Sequence, residues 1–425
     1  MTDFYSTSEE KERVLLLGVS RSERDDTEAS LRELGALLET AGAESVGAVI
    51  QSREAPDPGT YFGTGKLDEV REKLWETGAA AAAADDELSP AQMRNLKEAL
   101  GVKIMDRTMV ILDIFARHAV TSEGKIQVEM AQLKYTAAHL EGLRSSLSRL
   151  GGGIGTRGPG EQKLELDRRV IHERIGVLKH RLTEMERHRN VLRKAREKSG
   201  VFTAAVVGYT NAGKSTLLNR LTGADILAAD ALFATLDPTT RHLTLPGGEE
   251  MLLTDTVGFI RKLPHHLIEA FHSTLEEAVY SDLILHVVDV SNPEADVQVA
   301  AVYDTLAGLG MPGEREIITV LNKIDAAPDS IRFRDPNASR VVRISAKTGE
   351  GIPELLAVLE KCLRARRRLL ETVIPYARAG EIQVLRKSGR LMKEEYRQDG
   401  IYVMAEVPAD LYGRFSGRYT GTASE

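Results

Sequence analysis

Eight consecutive residues near the middle of the chain have the types and spacing of a phosphate-binding loop. The apolar run Val201–Val207 leads into GYTNAGKS at Gly208–Ser215, a full match to G-x-x-x-x-G-K-[ST]. A strand before the loop and a leucine-rich helix after it are the context it needs, because its backbone N–H groups and the helix N-terminus cradle phosphates. We predict that Lys214 reaches the β- and γ-phosphates and that Ser215 ligates Mg²⁺.

Three further segments follow in an order that indicates guanine nucleotide binding. Asp255–Gly258 (DTVG) ends a predicted strand; its carboxylate can hold Mg²⁺ through a water, and the N–H of its glycine can meet the γ-phosphate. Asn322–Asp325 (NKID) follows the apolar run Ile317–Leu321, and the carboxylate of Asp325 can accept from guanine N1–H and the exocyclic amine. Adenine lacks that donor arrangement, so this segment favours GTP over ATP. The backbone of Ser345–Lys347 (SAK) would face guanine O6.

The order of these segments resembles the translation-factor class of P-loop GTPases. The resemblance identifies Phe233–Thr239 (FATLDPT) as switch I and assigns Thr235 as the second protein ligand of Mg²⁺, ordered only when the γ-phosphate is present. Asp255–Phe259 and the following helix would form switch II. Many of these GTPases have a glutamine after the glycine of D-x-x-G, which orients the attacking water, whereas this chain has Phe259. A phenyl ring cannot hydrogen-bond that water. We therefore predict slow intrinsic hydrolysis that needs a partner, or a group within switch I or II, as its trigger.

The predicted site draws on the P-loop, both switches and the two guanine-binding segments. Lys214, Thr235 and Gly258 are the predicted catalytic residues, and Ser215, Thr235 and Asp255 the predicted Mg²⁺ ligands. The residues expected to contact GTP or GDP are Gly208, Tyr209, Thr210, Asn211, Ala212, Gly213, Lys214, Ser215, Thr216, Phe233, Ala234, Thr235, Leu236, Asp237, Asp255, Thr256, Val257, Gly258, Asn322, Lys323, Ile324, Asp325, Ser345, Ala346 and Lys347.

Composition excludes several other classes of protein. Of the 425 residues, 42% are apolar and 28% are charged, which is typical of a soluble globular protein. The single cysteine, Cys362, rules out an internal disulfide and a thiolate metal site and suits a reducing cytoplasm. The polar, acidic N-terminus is unlike a signal peptide, and the longest run free of Asp, Glu, Lys and Arg, Ser199–Gly213, is shorter than the about 20 residues of a spanning helix. We expect a cytoplasmic protein whose only membrane association would be peripheral.

Residues 121–200 have the pattern of a helical hairpin. Apolar residues recur every seven positions on both sides of a glycine-rich segment, at Ile126, Leu133, Leu140 and Leu147 and again at Leu164, Ile171, Leu178, Met185 and Leu192. Two such stripes predict antiparallel helices, the second about 55 Å long. The ten residues between them, 151–160 (GGGIGTRGPG), are predicted to be non-helical. Three of the glycines match the G-x-G-x-x-G fingerprint, but no strand precedes them, so we interpret the segment as a tight loop at the tip.

The charge of this hairpin differs from that of the rest of the chain. Residues 121–200 carry 17 Lys/Arg and 10 Asp/Glu, a net charge of +7, whereas the whole chain has a net charge of −7. One interpretation is the solvated surface of two long helices. The other is a basic arm that contacts phosphates, which Arg144, Arg149 and Arg157 at or near the tip favour.

The remaining segments complete an α/β architecture. We expect four parts: an α/β subdomain at residues 1–120, the hairpin with its tip loop at 121–200, a P-loop GTPase domain at 201–368 and a small α+β domain at 369–425. The GTPase domain should have a mostly parallel sheet with helices on both faces. In the first part, Ser89 and Pro90 suit the N-cap and first turn of a helix.

The chain resembles the HflX family of GTPases over nearly its whole length. The resemblance rests on the GTPase segments and on the segments FGTGKL (62–67), DRT (106–108), ILDIFA (111–116), TSEGKIQVE (121–129) and GGGIGTRGPGE (151–161). One departure is Ala137–Leu140 (AAHL), where the family usually has a proline and an arginine before the leucine.

This resemblance implies a GTPase that binds the ribosome, chiefly the large (50S) subunit, and splits stalled or idle ribosomes under stress. It implies Mg²⁺ as cofactor, GTP and GDP as substrate and product, and a hairpin that reaches ribosomal RNA near the peptidyl transferase centre through Arg157 and nearby basic residues. We expect a monomer. One alternative is a GTP-dependent module that blocks the subunit or assists its maturation without splitting ribosomes. The other is an RNA-modifying enzyme under GTPase control. The N-terminal part shows no metal cluster, nucleophile pair or cofactor loop that supports the latter.

Overall fold

The structure, a computed structural model, describes residues 11–22, 26–150, 159–199, 201–223, 232–233, 238–262, 264, 267, 275–310, 315–327 and 333–419. These residues form three sheets and a long helical hairpin, which confirms the predicted α/β class. In this part of the chain, no helix has both the length and the apolar character needed to cross a bilayer.

The N-terminal sheet is parallel and has helices on both faces. Its strands, in spatial order β2-β1-β3-β4, are β1 (Arg13–Ser20), β2 (Glu44–Ser52), β3 (Ala81–Ala84) and β4 (Lys103–Asp106). Its helices are α1 (Thr27–Thr40), α2 (Thr64–Thr77), α3 (Pro90–Leu100) and α4 (Arg107–His118). The alanines of β3 alternate between two apolar clusters, one on each face of the sheet. Ser89 caps α3 in a reciprocal pair with Gln92, as the sequence predicts.

The helical hairpin consists of α5 (Ser122–Leu150) and α6 (Pro159–Ser199). Glu123 pairs with Arg189 at 3.2 Å and Glu129 pairs with Arg174 at 2.7 Å, so the helices run antiparallel. Leu178, in the predicted stripe, is fully buried, while most described residues of α6 outside the stripe are exposed. The predicted antiparallel hairpin is therefore confirmed, while Ile126 and Leu133 of the α5 stripe are only half-buried.

The start of α6 corrects one prediction. The segment 151–160 was expected to be non-helical throughout, but α6 begins at Pro159. Proline suits the first helical turn because its φ angle is already close to the helical value and the N–H it lacks would have no intrahelical acceptor there. The remainder of the predicted tip loop, including Arg157, lies outside the described residues, as do the side chains of Arg144 and Arg149.

The second sheet has six strands and positions the predicted nucleotide site. Its strands, in spatial order β10-β9-β8-β5-β7-β6, are β5 (Phe202–Gly208), β6 (Thr239–Thr244), β7 (Glu250–Asp255), β8 (Leu283–Asp289), β9 (Glu316–Asn322) and β10 (Arg340–Arg343). All are parallel except β6, which is antiparallel to β7. Helices α7 (Lys214–Thr222), α8 (Ala295–Gly308) and α9 (Ile352–Ala365) accompany them. The predicted nucleotide-binding segments follow the carboxyl ends of four of these strands, which is where parallel α/β sheets bind ligands.

The C-terminal sheet is antiparallel, with strand order β11-β13-β12. Its elements are β11 (Arg368–Ile374), a 3₁₀ helix (Tyr376–Glu381), α10 (Ile382–Ser388), β12 (Arg390–Arg397), β13 (Gly400–Val407) and α11 (Ala409–Tyr419). Leu385 of α10 and Phe415 of α11 are fully buried in a cluster with one face of the sheet. This agrees with the α+β prediction.

One apolar core joins the N-terminal sheet, the hairpin and the nucleotide-binding domain. Its buried members include Phe115 of α4, Val128 of α5, and Phe233 and Phe259 of the two predicted switches. At the base of the hairpin, Tyr135 donates to Asp106 at 2.9 Å, and Arg193 lies 3.6 Å above the Tyr280 ring. The switches are therefore packed against other parts of the chain.

Candidate nucleotide-binding site

The P-loop connects the end of β5 to the start of α7. Gly213 has a φ angle of +90°, and a Cβ there would lie 2.3 Å from the Asn322 amide nitrogen. Only glycine satisfies both constraints, so the second glycine of the motif is required by local backbone and by tertiary contact. Asn211 has a φ of +59°, a left-handed conformation that asparagine tolerates better than most residues.

Lys214 is buried at the centre of this loop. Its Nζ donates to the carbonyl oxygens of Gly208 at 3.1 Å and Tyr209 at 2.8 Å. Burial lowers the pKa of Lys214 to about 8, although the nearby carboxylate of Asp255 opposes the shift. The ammonium form therefore predominates at neutral pH but is poorly solvated, and a phosphate would restore the solvation it has lost.

Two of the predicted Mg²⁺ ligands lie together. Ser215 Oγ donates to Asp255 Oδ2 at 2.9 Å, so one hydroxyl and one carboxylate converge beside the phosphate-binding loop. An oxygen donor set of this kind fits Mg²⁺, which keeps several waters and takes few protein ligands. The third predicted ligand, Thr235, lies outside the described residues, together with Ala234, Leu236 and Asp237.

The guanine-binding segments are joined to the P-loop by one buried side chain. Asn322 Nδ2 donates to the Ala212 carbonyl at 2.8 Å, and its Oδ1 accepts from the Ala346 N–H at 2.9 Å. A hydrogen bond from the Ser345 side chain holds the pKa of Asp325 below its usual range. The NKID and SAK segments, separate in sequence, thus meet at one end of the site, with the Asp325 carboxylate ionised and exposed.

Other predicted residues of this end have supporting contacts. Lys323 Nζ pairs with Asp289 at 2.7 Å, and the Ile324 N–H donates to the Ile344 carbonyl at 3.3 Å. The Lys347 carbonyl accepts from Arg220 of α7 at 3.0 Å. Sequence reasoning named none of these partners.

The DTVG segment is oriented mostly towards the protein interior. The Thr256 hydroxyl donates to the Val206 carbonyl at 2.8 Å, and Val257 is buried in the apolar core. Any contact of these two residues with a nucleotide would come from the backbone. Gly258 lies directly against the P-loop, since a Cβ there would be 2.9 Å from the Thr210 Cα atom.

Phe233 of the predicted switch I and Tyr209 of the P-loop contact two helices of the N-terminal subdomain. The Phe233 ring packs edge-on against Phe115 of α4, with centroids 4.6 Å apart. The Tyr209 hydroxyl donates to Glu33 of α1, and burial raises the pKa of Tyr209 to about 12. Sequence reasoning missed these partners, because no pattern in the N-terminal part linked Glu33 or Phe115 to the nucleotide site.

Comparisons with known proteins agree with this geometry. The family description "GTP-binding GTPase N-terminal" matches residues 28–116, "GTP-binding GTPase Middle Region" matches 118–196, and "50S ribosome-binding GTPase" matches 203–323. The chain is 62% identical over 412 residues to GTPase HflX of Lacrimispora saccharolytica, covering 97% of both chains.

The chain belongs to the GTPase HflX family. It is also 43% identical over 355 residues to GTPase HflX of Escherichia coli K12, covering 83% of each chain. Among solved structures it is similar to a GTP-binding protein from Sulfolobus solfataricus in complex with GDP, at 24% identity and a TM-score of 0.44, covering 83% of this chain and 98% of that one.

HflX family membership and the P-loop GTPase fold establish the activity of the chain. It binds GTP and hydrolyses it to GDP and phosphate. The predicted phosphate- and Mg²⁺-binding residues Lys214, Ser215 and Asp255 converge at one end of the candidate site, which we call the phosphate end. The predicted guanine-binding residues Asn322 and Asp325 lie at the other, which we call the guanine end.

Proposed function

We propose that this HflX GTPase associates in the cytoplasm with the large (50S) ribosomal subunit and splits stalled or idle ribosomes under stress. The observation that carries the proposal is the hairpin. Its second helix, α6, has 41 residues, about 60 Å at 1.5 Å per residue, and the segment 121–200 has a net charge of +7. A basic arm of this length can enter an RNA-lined channel while the nucleotide-binding domain remains outside it.

The family description that matches residues 203–323 supports the same partner, because it names a 50S ribosome-binding GTPase. In this proposal the four parts 1–120, 121–200, 201–368 and 369–425 act as one monomer, and ribosomal RNA contacts Arg157 and the basic residues near it. Binding through phosphates should weaken steeply as salt concentration rises.

The chemistry of the cycle follows from the site residues. Mg²⁺, when bound, would neutralise charge on the β- and γ-phosphates, and Ser215, Thr235 and Asp255 would hold it. Lys214 and the Gly258 N–H would contact the γ-phosphate. Asp325 would accept both guanine donors, and the Ser345–Lys347 backbone would face O6.

Intrinsic hydrolysis should be slow because Phe259 occupies the position of a water-orienting group. Its side chain is fully buried in the apolar core and has no polar atom. We propose that the ribosome supplies the trigger. Single-turnover hydrolysis by the purified protein should accelerate strongly when 50S subunits are added, and equally fast hydrolysis without them would contradict the proposal.

Splitting can be distinguished from blocking with intact ribosomes. Light scattering should fall when the protein is added with a non-hydrolysable GTP analogue, and it should fall less with GDP. If scattering is unchanged while the protein co-sediments with ribosomes, the chain blocks the subunit, or assists its maturation, without splitting.

The role of the hairpin tip can be tested by charge reversal. Arg157→Glu should leave intrinsic GTP hydrolysis unchanged and weaken co-sedimentation with 50S subunits. Arg117→Glu is the matched control, because Arg117 is a half-exposed arginine of α4, away from the tip. Undiminished binding of Arg157→Glu at low and moderate salt would refute RNA contact through the tip.

A further inference from the structure

The carboxylate of Asp289 lies beside the guanine end of the site, outside the predicted nucleotide contacts. Asp289 is the last residue of β8, and in the sheet it is paired with Asn322, the last residue of β9. Its side chain is 13% exposed and forms an ion pair with Lys323 Nζ at 2.7 Å. The carboxyl ends of two neighbouring strands are therefore joined by a pair of opposite charges that is largely shielded from water.

Asp289 is itself held in place through its other oxygen. Its Oδ1 accepts from the N–H of Ser291 at 3.0 Å and from the hydroxyl of the same residue at 2.5 Å, whereas Oδ2 pairs with Lys323. The Val290 N–H, next along the chain, donates to the Asn322 carbonyl at 3.1 Å. Because both of its oxygens have partners, the carboxylate is a fixed anchor for the lysine.

Lys323 needs an anchor because its backbone is strained. Its φ angle is +65°, in the left-handed region. A residue with a long side chain adopts this conformation at a cost in free energy and keeps it only where the surrounding structure holds it. The ion pair with Asp289 is the contact that holds the Lys323 side chain.

The conformation of Lys323 determines where Asp325 lies. The Lys323 carbonyl accepts from the Ala326 N–H at 3.0 Å, which closes a turn that has Asp325 as its third residue. Ile324, the second residue of the turn, packs against an apolar cluster that includes Val290. A rotation of the backbone at Lys323 would move the whole turn, and with it the exposed carboxylate that is predicted to bind guanine.

We infer that Asp289 is a positioning residue for guanine recognition, because through Lys323 it fixes the turn that presents Asp325 to the base. The inference rests on the predicted role of Asp325 as the acceptor of both guanine donors. It adds a residue of β8 to the determinants of base preference, which the guanine-binding motifs on β9 and after β10 do not include.

The test measures the affinities of GDP and of purine riboside 5′-diphosphate for the full chain and for Asp289→Asn. The purine base lacks both the N1–H and the exocyclic amine, so it gains nothing from Asp325. Asparagine keeps an oxygen for Ser291 and loses the charge that binds Lys323. GDP should bind at least about fivefold more weakly to the variant, while the affinity of the purine nucleotide changes less than about twofold. Removing a negative charge near an anionic ligand would by itself strengthen binding of both nucleotides, so the expected change is opposite in sign to a purely electrostatic one.

A double-mutant cycle with Asp325→Ala tests whether the effect passes through Asp325. Asp325→Ala alone should reduce the preference for GDP over the purine nucleotide. In the Asp325→Ala background, Asp289→Asn should change GDP affinity less than about twofold, because the carboxylate that it positions is gone.

Glu249→Gln is the matched control. Glu249 is 10% exposed and pairs with Arg367 at 3.1 Å, so its carboxylate is as well shielded as that of Asp289, but it precedes β7, at the end of the same sheet opposite to the site. It should leave the preference for GDP over the purine nucleotide unchanged. Ser291→Ala, which removes the hydroxyl that holds Asp289, should lower this preference by a smaller factor, and it decides the matter if Asp289→Asn does not fold.

Each way in which the inference can fail has its own result. An equal loss of affinity for both nucleotides in Asp289→Asn, or no loss, would overturn it and show that the ion pair only supports the fold. A selective loss of GDP binding that persists in the Asp325→Ala background would show that Asp289 acts by another route. An unchanged preference in Asp325→Ala alone would instead refute the predicted role of Asp325, on which the inference rests.

Discussion

The guanine end and the γ-phosphate end of the site differ in the origin of their supporting contacts. At the guanine end, Asn322 bonds Ala212 and Ala346, so every supporting group belongs to the nucleotide-binding domain. At the γ-phosphate end, Phe233 packs on Phe115 of α4 and Lys262 pairs with Asp85 after β3, so further supporting groups come from the N-terminal α/β subdomain.

Because of this difference, different parts of the chain support recognition of guanine and recognition of the γ-phosphate, which distinguishes GTP from GDP. A guanine end supported within one domain is preorganised whatever the rest of the chain does. At the γ-phosphate end, a movement of Phe233 or Lys262 would change a contact between domains. Perturbing the N-terminal sheet should therefore alter the response to GTP and leave the preference for guanine intact.

The largest effect should come from removing the Lys214 ammonium, which is predicted to contact both the β- and the γ-phosphate. Lys214→Ala should weaken binding of GDP and of a GTP analogue by roughly 100-fold, as expected for truncation of a buried charged group. Isothermal titration calorimetry with both nucleotides measures this loss. Lys73→Ala, a surface lysine of α2, should change neither affinity. Near-normal binding by Lys214→Ala would refute its predicted role.

The guanine end should fail selectively when its carboxylate is neutralised. Asp325→Asn should weaken GDP binding about 10- to 100-fold, since hydrogen bonds to a charged acceptor contribute about 1.5–3 kcal/mol. Inosine diphosphate, which lacks the exocyclic amine, should lose much less affinity. Competition between the two nucleotides measures the change, with Asp304→Asn, an exposed residue of α8, as control. An unchanged preference for GDP would contradict the assignment.

Removing a contact that the N-terminal subdomain makes with the γ-phosphate end should lower the stability of the protein and leave its preference for guanine unchanged. Phe115→Ala removes the fully buried ring that contacts Phe233 and should lower the free energy of unfolding by about 3–5 kcal/mol. Chemical denaturation monitored by circular dichroism measures this change in the free energy of unfolding. Trp75→Ala, which removes an aromatic ring that is 86% exposed, should leave stability nearly unchanged. A shift in the preference for GDP over inosine diphosphate in Phe115→Ala would break the comparison between the two ends.

The smallest expected effect is the uptake of a proton by Lys214 when GDP binds. Because the pKa of Lys214 is lowered to about 8, about half of these side chains are neutral at pH 8. Bound phosphates favour the ammonium form, so GDP binding should take up about half a proton at that pH. Affinity should be greatest below pH 8 and fall as the pH rises above it. Calorimetry in two buffers of different ionisation enthalpy measures the uptake. The uptake should vanish in Lys214→Arg, and proton release by the wild type would contradict the assignment.

The parts of this protein that depend on local sequence were predictable. The P-loop, the heptad stripes of α5 and α6 and the cap of α3 at Ser89 each reflect contacts or periodicities within a few residues. The misplaced start of α6 at Pro159 has the same basis, because glycine and proline were interpreted as breaking a helix when proline also suits its first turn.

Contacts between distant segments were not predictable from the same patterns. Thr256 was expected to contact the nucleotide, and only the tertiary structure shows that its hydroxyl donates to the Val206 carbonyl of β5, so that any such contact would come from its backbone. No spacing rule links Lys262 to Asp85 or Tyr209 to Glu33, which are more than 170 residues apart.

By itself, the sequence determined which groups are available to bind and hydrolyse GTP, their order along the parallel strands, and the family. The reason is that the P-loop and the guanine-binding segments must carry particular side chains and glycines whatever surrounds them. Only the tertiary structure decided where the switches rest, because their position depends on which charged and apolar groups of the N-terminal sheet face them. A buried arginine such as Arg107 must find acidic partners. Those partners, Glu33 and Asp85, also bind Tyr209 of the P-loop and Lys262 beyond the DTVG segment.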